Sequence, residues 1–391
     1  MHKKILYVFC SQNYSGAEIV VKRLISANIN EAAALALCPP GEFAQSLKEA
    51  AIPVIEENAL LSLQRRNKQE SKWKILFILL VKFLKINATL LRACIKHNLS
   101  FIHTNNLAAS IYSLPSLFLC KLFKRNIRWL WSNHDLNYPS HQSDRLLAKV
   151  CHRYYHCTLA VSQAVAKTYP NYQEKIQVLY NGINTEEFCF NSDARQDFRS
   201  KYDFSEQETL IGIVGQISEG KGQHLLIEAF QELIPSFPQA RLLLIGNFSP
   251  EENDYKTKIL NQISSLPAYN YIFLGKQSNM PWVYSGLDIV INATTSQRSE
   301  PLGTTIYEAM ACERIVIASD TGGTPEIIED EKDGFLFAAD SVIELKSKLL
   351  NALIKNKDLN LIRKNAREKV LEKFNITKIT DHYNAILRKL Q

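Results

Sequence analysis

The feature that most constrains the fold of this 391-residue chain is one local pattern that recurs along it. A short apolar run is followed by a turn containing Gly or Ser, and the turn is followed by apolar residues at helical spacing. Strands that alternate with helices form βαβ units around a parallel sheet, which binds ligands at the carboxyl ends of its strands. Clear examples are ILYVFC before SQNYSGAEIVVKRLI, LIGIVG before QISEGKGQHLLIEAFQELI, and RIVIASD before TGGTPEII.

The pattern is interrupted by a polar stretch between Asn181 and about Thr209, after which a new buried strand, Leu210 to Val214, is predicted. The chain is also too long for one ordinary hydrophobic core. We therefore predict an α/β protein with two doubly wound, Rossmann-like domains and a ligand-binding cleft between them. The expected boundaries are 1–190 for the first domain, 191–370 for the second, and 371–391 for a C-terminal helix that packs back on the first.

Composition excludes several other classes of protein. A hydrophobic fraction of 46% and a charged fraction of 22% are typical of a soluble globular chain. The apolar run Ile5 to Cys10 is too short for a signal peptide and has no cleavage site after it, so it predicts a buried first strand. The eight cysteines lack the spacing of zinc sites or disulfide frameworks, which favours buried, reduced thiols in a cytoplasmic protein.

Charge is distributed unevenly along the sequence. Residues 1–180 carry 23 Lys and Arg against 10 Asp and Glu, a net of +13, whereas the remainder has a net of −6, which together give the total of +7. A basic first half indicates an anionic partner, for which we expect a membrane surface and not a nucleic acid.

The segment 65–96 concentrates this basic character. It sets Trp73, Leu76, Phe77, Leu80 and Leu84 at helical spacing among lysines. One interpretation is a core helix with solvated lysines. The other is an interfacial helix on anionic lipid, which would make the protein peripheral on the inner face of the cell membrane.

The stretch SEPLGTTIYEAMA, from Ser299 to Ala311, carries the strongest chemical signal. Ile289 to Asn292 is predicted as a strand, and a helix is predicted from Gly303. The backbone amides of Gly303, Thr304 and Thr305 would then lie at a helix N-terminus, which favours a phosphate group.

Two glutamates flank this anion site. Glu308 lies just over one turn beyond Thr304, and a carboxylate there suits the vicinal hydroxyls of a ribose. Glu300 precedes the helix and suits the hydroxyls of a second sugar. Ribose, diphosphate and sugar together describe a nucleotide sugar, with a UDP-sugar or GDP-sugar as the expected donor.

A second phosphate element is GQISEGKGQHLL, in which Lys221 stands between Gly220 and Gly222. By itself, this glycine-containing loop is equally typical of a surface turn without a ligand. Because the glutamate motif lies in the same half of the chain, we interpret Lys221 as the counter-ion of the diphosphate.

Further fragments recur in the order typical of one enzyme family. In the second half these are VGQISEGKGQHLLIEAF, LYNGINTEEF, IFLGK, SGLDIVINAT and TGGTPEIIEDEKDGFLF, and in the first half SGAE, FIHTNN, WSNHDL and AVSQAV. With SEPLGTTIYEAMA as its E-x7-E signature, the chain resembles the retaining glycosyltransferases of family 4, which have the GT-B fold.

The resemblance implies roles for individual residues of the second half. Glu308 would hold the ribose, and the amides of Gly303 and Thr304 would bind the diphosphate. Glu300 would contact the transferred sugar, and Lys221 would neutralise the β-phosphate as it leaves.

In the first half the resemblance implies that a loop at Gly16 closes over the phosphates and that His134 lies by the reacting sugar. Such enzymes generally use no metal, and no D-x-D motif occurs here. One departure concerns Gln216, where many members have Arg. Loss of one preorganised charge can raise a barrier by about 3 kcal/mol.

The expected function is therefore metal-independent, retaining hexosyl transfer from a nucleotide sugar to a glycan or lipid-linked acceptor, in cell-surface polysaccharide or lipopolysaccharide biosynthesis. Two alternatives stay open. The first is a GT-B sugar-nucleotide epimerase, which would share the diphosphate site. The second is a catalytically weak partner subunit, which the missing cation at Gln216 would explain.

Overall fold

The computed structural model describes residues 3–12, 16–61, 72–136, 142–354 and 359–391, with the backbone alone for 72–76 and 142–144. The chain divides into two compact units. Unit 1 comprises Met1–Gly182 and Ile376–Gln391, and unit 2 comprises Ile183–Asn375.

In the described part of unit 1, a sheet of seven parallel strands has the order β3-β2-β1-β4-β5-β6-β7. The order reverses between β1 and β4, as in doubly wound folds. The strands are β1 Lys3–Val8, β2 Ala32–Cys38, β3 Val54–Glu56, β4 Phe101–Asn105, β5 Arg128–Asn133, β6 Cys157–Ala160 and β7 Ile176–Val178.

Helices cover this sheet, and they are numbered along the whole chain. The C-terminal helix packs in the core of unit 1, where the Tyr383 hydroxyl lies 2.9 Å from Nδ1 of His103. The helices are α1 Gly16–Ala27, α2 Glu42–Glu49, α3 Lys72–His97, α4 Asn106–Leu122, α5 Gln142–Tyr154, α6 Gln163–Lys167 and α15 Ile376–Leu390.

Unit 2 has a sheet of six parallel strands among its described residues, in the order β10-β9-β8-β11-β12-β13. Its reversal lies between β8 and β11. The strands are β8 Thr209–Val214, β9 Ala240–Ile245, β10 Tyr271–Gly275, β11 Ile289–Asn292, β12 Ile315–Asp320 and β13 Phe335–Ala338.

The central strands of unit 2 are buried on both faces, which explains their continuous Leu, Ile and Val content. The helices of this unit are α7 Ser192–Lys201, α8 Gln223–Leu233, α9 Asn253–Ile263, α10 Met280–Gly286, α11 Thr304–Ala311, α12 Thr324–Ile327, α13 Val342–Leu353 and α14 Leu359–Lys373.

Two predicted strands agree closely with the structure, and one is displaced. Ile289 to Asn292 forms β11 as predicted, and β8 extends the predicted Leu210 to Val214 by one residue. The first strand, predicted from Ile5 to Cys10, is Lys3–Val8. Its continuation is still buried, and apolar character alone therefore could not show where strand pairing ends.

The unit boundaries lie at 182/183 and 375/376, whereas the sequence suggested 190/191 and 370/371. The segment after Ile183 is attached to α14 by long-range hydrogen bonds. The Arg367 guanidinium donates to the carbonyls of Thr185 and Phe188 at 2.7 and 2.6 Å, and the Ile183 amide donates to Phe374 at 2.9 Å. These contacts join residues far apart in the sequence and are not visible in local composition.

Helix α3 contains most of the basic segment 65–96, of which 65–71 lie outside the described residues. Ile86 and Leu90 are buried, whereas the side chains of Phe77, Leu80 and Leu84 are 66%, 56% and 64% exposed. Among the described residues, no helix combines the length and the apolar character needed to cross a bilayer.

We predict that Gly222→Ala destabilises unit 2 more than Gly275→Ala. Both glycines have a left-handed backbone, with φ of 69° and 65°, so alanine costs about 1–2 kcal/mol at either position. A Cβ at Gly222 would also lie 2.0 Å from the Ala293 carbonyl oxygen, whereas at Gly275 the nearest atom is 3.7 Å away. Chemical denaturation followed by circular dichroism should give the lower midpoint for Gly222→Ala, and equal midpoints would contradict the steric argument.

Candidate functional site

The predicted phosphate elements meet at the carboxyl edge of the unit 2 sheet. Strands β8 and β11 are neighbours at the reversal of strand order, so the loops that follow them leave the sheet side by side. The Thr295 amide donates to the Gly220 carbonyl at 3.0 Å and joins the two loops. A pair of motifs more than 70 residues apart in the printed sequence therefore forms one site.

Helix α11 begins in the second of these loops. Gly303 is its N-cap residue and has no side chain with which to cap the helix. The Ile306 amide donates to the Gly303 carbonyl at 3.1 Å, whereas the amides of Thr304 and Thr305 come before the first hydrogen bond of the helix. Thr304 and Thr305 are half-buried, and the Thr305 hydroxyl accepts a 3.4 Å hydrogen bond from the Asn292 side chain. The helix N-terminus therefore lies where the sequence predicts it, and its use as an anion site stays a prediction.

Glu308 lies one turn inside α11 and is 7% exposed. Its Oε2 accepts a 3.1 Å hydrogen bond from the hydroxyl of Tyr284, which is fully buried in α10. No sequence motif predicts a role for Tyr284. The one indication in the sequence is its position directly before the fragment SGLDIVINAT.

Glu300 and Lys221 contact each other directly, although the sequence suggested separate contacts with the ligand. Lys221 Nζ lies 2.7 Å from Glu300 Oε2, and the Thr294 hydroxyl donates to the same oxygen at 3.0 Å. Burial by itself would raise the pKa of Glu300, but the Lys221 charge and the two hydrogen bonds outweigh burial and lower the pKa. Glu300 is therefore a carboxylate at neutral pH.

The backbone around Glu300 is constrained on both sides. Ser299 has a left-handed backbone with φ of 50°, which is uncommon for a residue other than Gly. The carbonyl of Glu300 accepts a 2.8 Å hydrogen bond from the Gly323 amide, which follows β12. The position of this carboxylate is thus defined by the folded unit as a whole.

Gln216 lies at the start of the loop after β8. Its side chain is exposed, and its carbonyl accepts a 3.0 Å hydrogen bond from the side chain of Gln223. This bond holds the loop backbone, and the uncharged side chain adds no cation to the site.

His134 and Gly16 lie in unit 1. His134 follows β5, and its Nε2 lies 2.7 Å from Oδ1 of Asn105, a buried residue of the fragment FIHTNN for which the sequence predicts no role. Burial lowers the pKa of His134 to about 4, so its imidazole is neutral at pH 7. With Asn105 presenting its oxygen, Nε2 carries the proton and Nδ1 is an acceptor. Gly16 is exposed at the start of α1, directly after residues that lie outside the described ranges.

Cysteines take no part in these arrangements. All eight are among the described residues and none forms a disulfide; seven are buried, and Cys189 is half-buried. Within the ranges that the structure describes, no three His, Cys, Asp or Glu side chains are grouped so as to hold a metal ion.

Comparison with known families identifies both parts of the chain. The family described as "Glycosyl transferases group 1" matches residues 194–369, which include every residue of the unit 2 site. The family described as "Glycosyltransferase Family 4" matches residues 52–187. The chain belongs to the family 4 type of glycosyltransferases.

Individual relatives of this glycosyltransferase are distant and align over part of their length. N-acetyl-alpha-D-glucosaminyl L-malate synthase of Bacillus anthracis is 29% identical over 54% of this chain and 53% of its own. Lipopolysaccharide 1,2-N-acetylglucosaminetransferase of Salmonella typhimurium is 26% identical over 54% of this chain and 57% of its own. The chain spans about half the length of the curated relatives it matches.

Among solved structures, the Anabaena protein HepE in complex with UDP-glucose is similar with a TM-score of 0.82. It is 23% identical, and the match covers 99% of this chain and 100% of HepE. At this identity the similarity concerns the fold, and with the two doubly wound sheets it confirms the GT-B architecture of the glycosyltransferase.

We predict that Glu308→Ala weakens the binding of UDP or GDP by about tenfold to a hundredfold. The reason is the loss of charge-assisted hydrogen bonds to ribose, worth about 1.5–3 kcal/mol. Titration calorimetry measures the change. The matched control is Glu372→Ala, which removes an exposed glutamate from α14. Equal affinities for wild type and Glu308→Ala would reject the ribose assignment.

Proposed function

We propose that this chain transfers a hexose from a UDP-sugar or GDP-sugar to a glycan or lipid-linked acceptor, with retention of anomeric configuration and without a metal ion. The observation that carries the proposal is the unit 2 site, where the N-terminus of α11 lies between Glu308 and the Lys221–Glu300 pair. The named activity of the Salmonella typhimurium relative supports a role in lipopolysaccharide or polysaccharide biosynthesis.

Donor binding follows from the chemistry of these groups. Glu308, oriented by Tyr284, accepts hydrogen bonds from ribose hydroxyls. The first amides of α11 and the helix dipole bind the diphosphate. Glu300 accepts hydrogen bonds from hydroxyls of the sugar, and neither of its contacts with Lys221 and Thr294 uses Oε1.

In the proposed reaction the bond between the anomeric carbon and the β-phosphate oxygen breaks while an acceptor oxygen forms the new glycosidic bond. The electron pair of the broken bond stays on the diphosphate, and the acceptor proton leaves with it or passes to solvent. Lys221 and the α11 amides stabilise the developing charge. His134, assigned by resemblance, has a neutral ring, so its unprotonated nitrogen can accept a hydrogen bond.

The proposal predicts that the purified chain, supplied with an acceptor extract, releases free nucleotide from one member of a panel of UDP- and GDP-sugars, and that EDTA leaves the rate unchanged. The basis is that protein cations and amides stabilise the leaving group in place of a metal. Nucleotide release is measured with a coupled assay, and epimers of the donor are measured by chromatography.

Each alternative gives a different result in this assay. Epimers without nucleotide release would indicate an epimerase. Nucleotide binding without turnover would indicate a partner subunit, for which the uncharged Gln216 is the supporting observation. Loss of activity in EDTA that Mn²⁺ or Mg²⁺ restores would reject the metal-independent mechanism.

For the acceptor side we propose that α3 binds an anionic membrane surface. The exposed side chains of Phe77, Leu80 and Leu84 recur at three- to four-residue spacing and form one apolar face. Lys85 beside them is exposed. Lys82 instead donates a 3.2 Å hydrogen bond to the Leu61 carbonyl and is half-buried, so it contributes less than the sequence suggested.

We predict that the protein sediments with vesicles of anionic lipid at low salt and is released at high salt. Each surface cation adds about 1 kcal/mol of attraction, screened over about 8 Å at physiological salt. Replacing Phe77, Leu80 and Leu84 together with Ser should abolish sedimentation. The control replaces Ile343 and Leu361, exposed apolar residues of unit 2, with Ser. Equal sedimentation of the two variants would assign another surface to the membrane.

A further inference from the structure

Arg298 occupies a defined place in the loop that follows β11. Its stem lies across Gly220: a Cβ built on Gly220 would be 2.8 Å from Arg298 Cδ and 3.0 Å from its Cβ. Gly220 does not have a left-handed backbone, so its conformation alone does not require glycine. The missing side chain instead leaves space for the stem of Arg298, directly beside Lys221.

The positive charge of Arg298 acts on Glu300. Lys221 and Arg298 are the two cations whose charges lower the pKa of Glu300. Arg298 is exposed, and because its stem is held against Gly220, its side chain stays next to Lys221.

The charge balance of the site favours a second cation. Lys221 and Glu300 form an ion pair, and their charges largely cancel at a distance. The N-terminus of a helix contributes only about half an elementary charge. A nucleoside diphosphate carries at least two negative charges, and Gln216 at the first loop contributes none. A cation from the loop after β11 would restore the balance.

We propose that Arg298 is the second cation that binds the donor diphosphate, in place of a charge at position 216. This inference rests on the proposed function of the site. A guanidinium suits the role because its planar fork donates two parallel hydrogen bonds to phosphate oxygens. The loop after β8 thus provides one cation, Lys221, and the loop after β11 provides the other.

The experiment compares the affinities of uridine, UMP and UDP, and of the guanosine series, by titration calorimetry of the full-length chain. In Arg298→Gln the affinity for the diphosphate should fall about tenfold or more, while that for the nucleoside stays unchanged. The dependence of diphosphate affinity on salt should also become weaker. Lys364→Gln, which removes an exposed lysine from α14, is the control and should bind like wild type.

Two further variants separate recognition from structure. Adding Gln216→Arg to Arg298→Gln should restore diphosphate affinity, because it returns a cation to the same site. Gly220→Ala should weaken diphosphate binding by displacing the Arg298 stem, and it should have little further effect once Arg298 is replaced. Thermal unfolding of each variant verifies that the fold is retained.

The possible outcomes distinguish this inference from the proposed function. If wild type binds the diphosphate and Glu308→Ala weakens it, but Arg298→Gln does not, the role of Arg298 is wrong and the site assignment stands. Equal loss for nucleoside and diphosphate, or no rescue by Gln216→Arg, would also overturn the role of Arg298. Absence of nucleotide binding by wild type would overturn the proposed function and this inference together.

Discussion

The parallel pairing of β8 with β11 is the constraint on which the rest of the unit 2 site depends. Strand order reverses at this pair, so no crossover helix covers the space above the two carboxyl ends. One loop brings Lys221 into that space, and the other brings Glu300 and the start of α11. Their hydrogen bond between Thr295 and Gly220 makes the two loops one structural element.

The Lys221–Glu300 ion pair gives the site its electrostatic character. A carboxylate that is only 9% exposed remains ionised because a cation and a hydroxyl both contact it. In the proposed function, a donor phosphate that approaches Lys221 would compete with this internal anion, whereas the sugar of the same donor would hydrogen-bond Glu300. If the proposed function is correct, this arrangement would favour a nucleotide that carries a sugar over the nucleotide alone, and neighbouring residues would supply the net positive charge.

Much of the architecture could be predicted because the relevant signals are local. The strand β11, the loop after it and the helix from Gly303 follow from a buried apolar run, a turn and helical spacing within about 20 residues. The boundaries between units were less predictable, because Arg367 attaches the segment near Thr185 to unit 2 across 182 positions. The amino-acid composition around either residue does not indicate such a hydrogen bond.

The sequence by itself determined the alternation of strands and helices and the positions of the two glutamates, since periodicity and turn chemistry act between near neighbours, and its motifs indicated the GT-B class by resemblance. Only the tertiary structure decided that Lys221 pairs with Glu300 over 79 positions, that Tyr284 orients Glu308, and that Arg298 lies across Gly220. The physical reason is that these contacts depend on which strands are neighbours in the sheet. Strand neighbours are selected by the packing of the whole unit, and no short stretch of sequence specifies them.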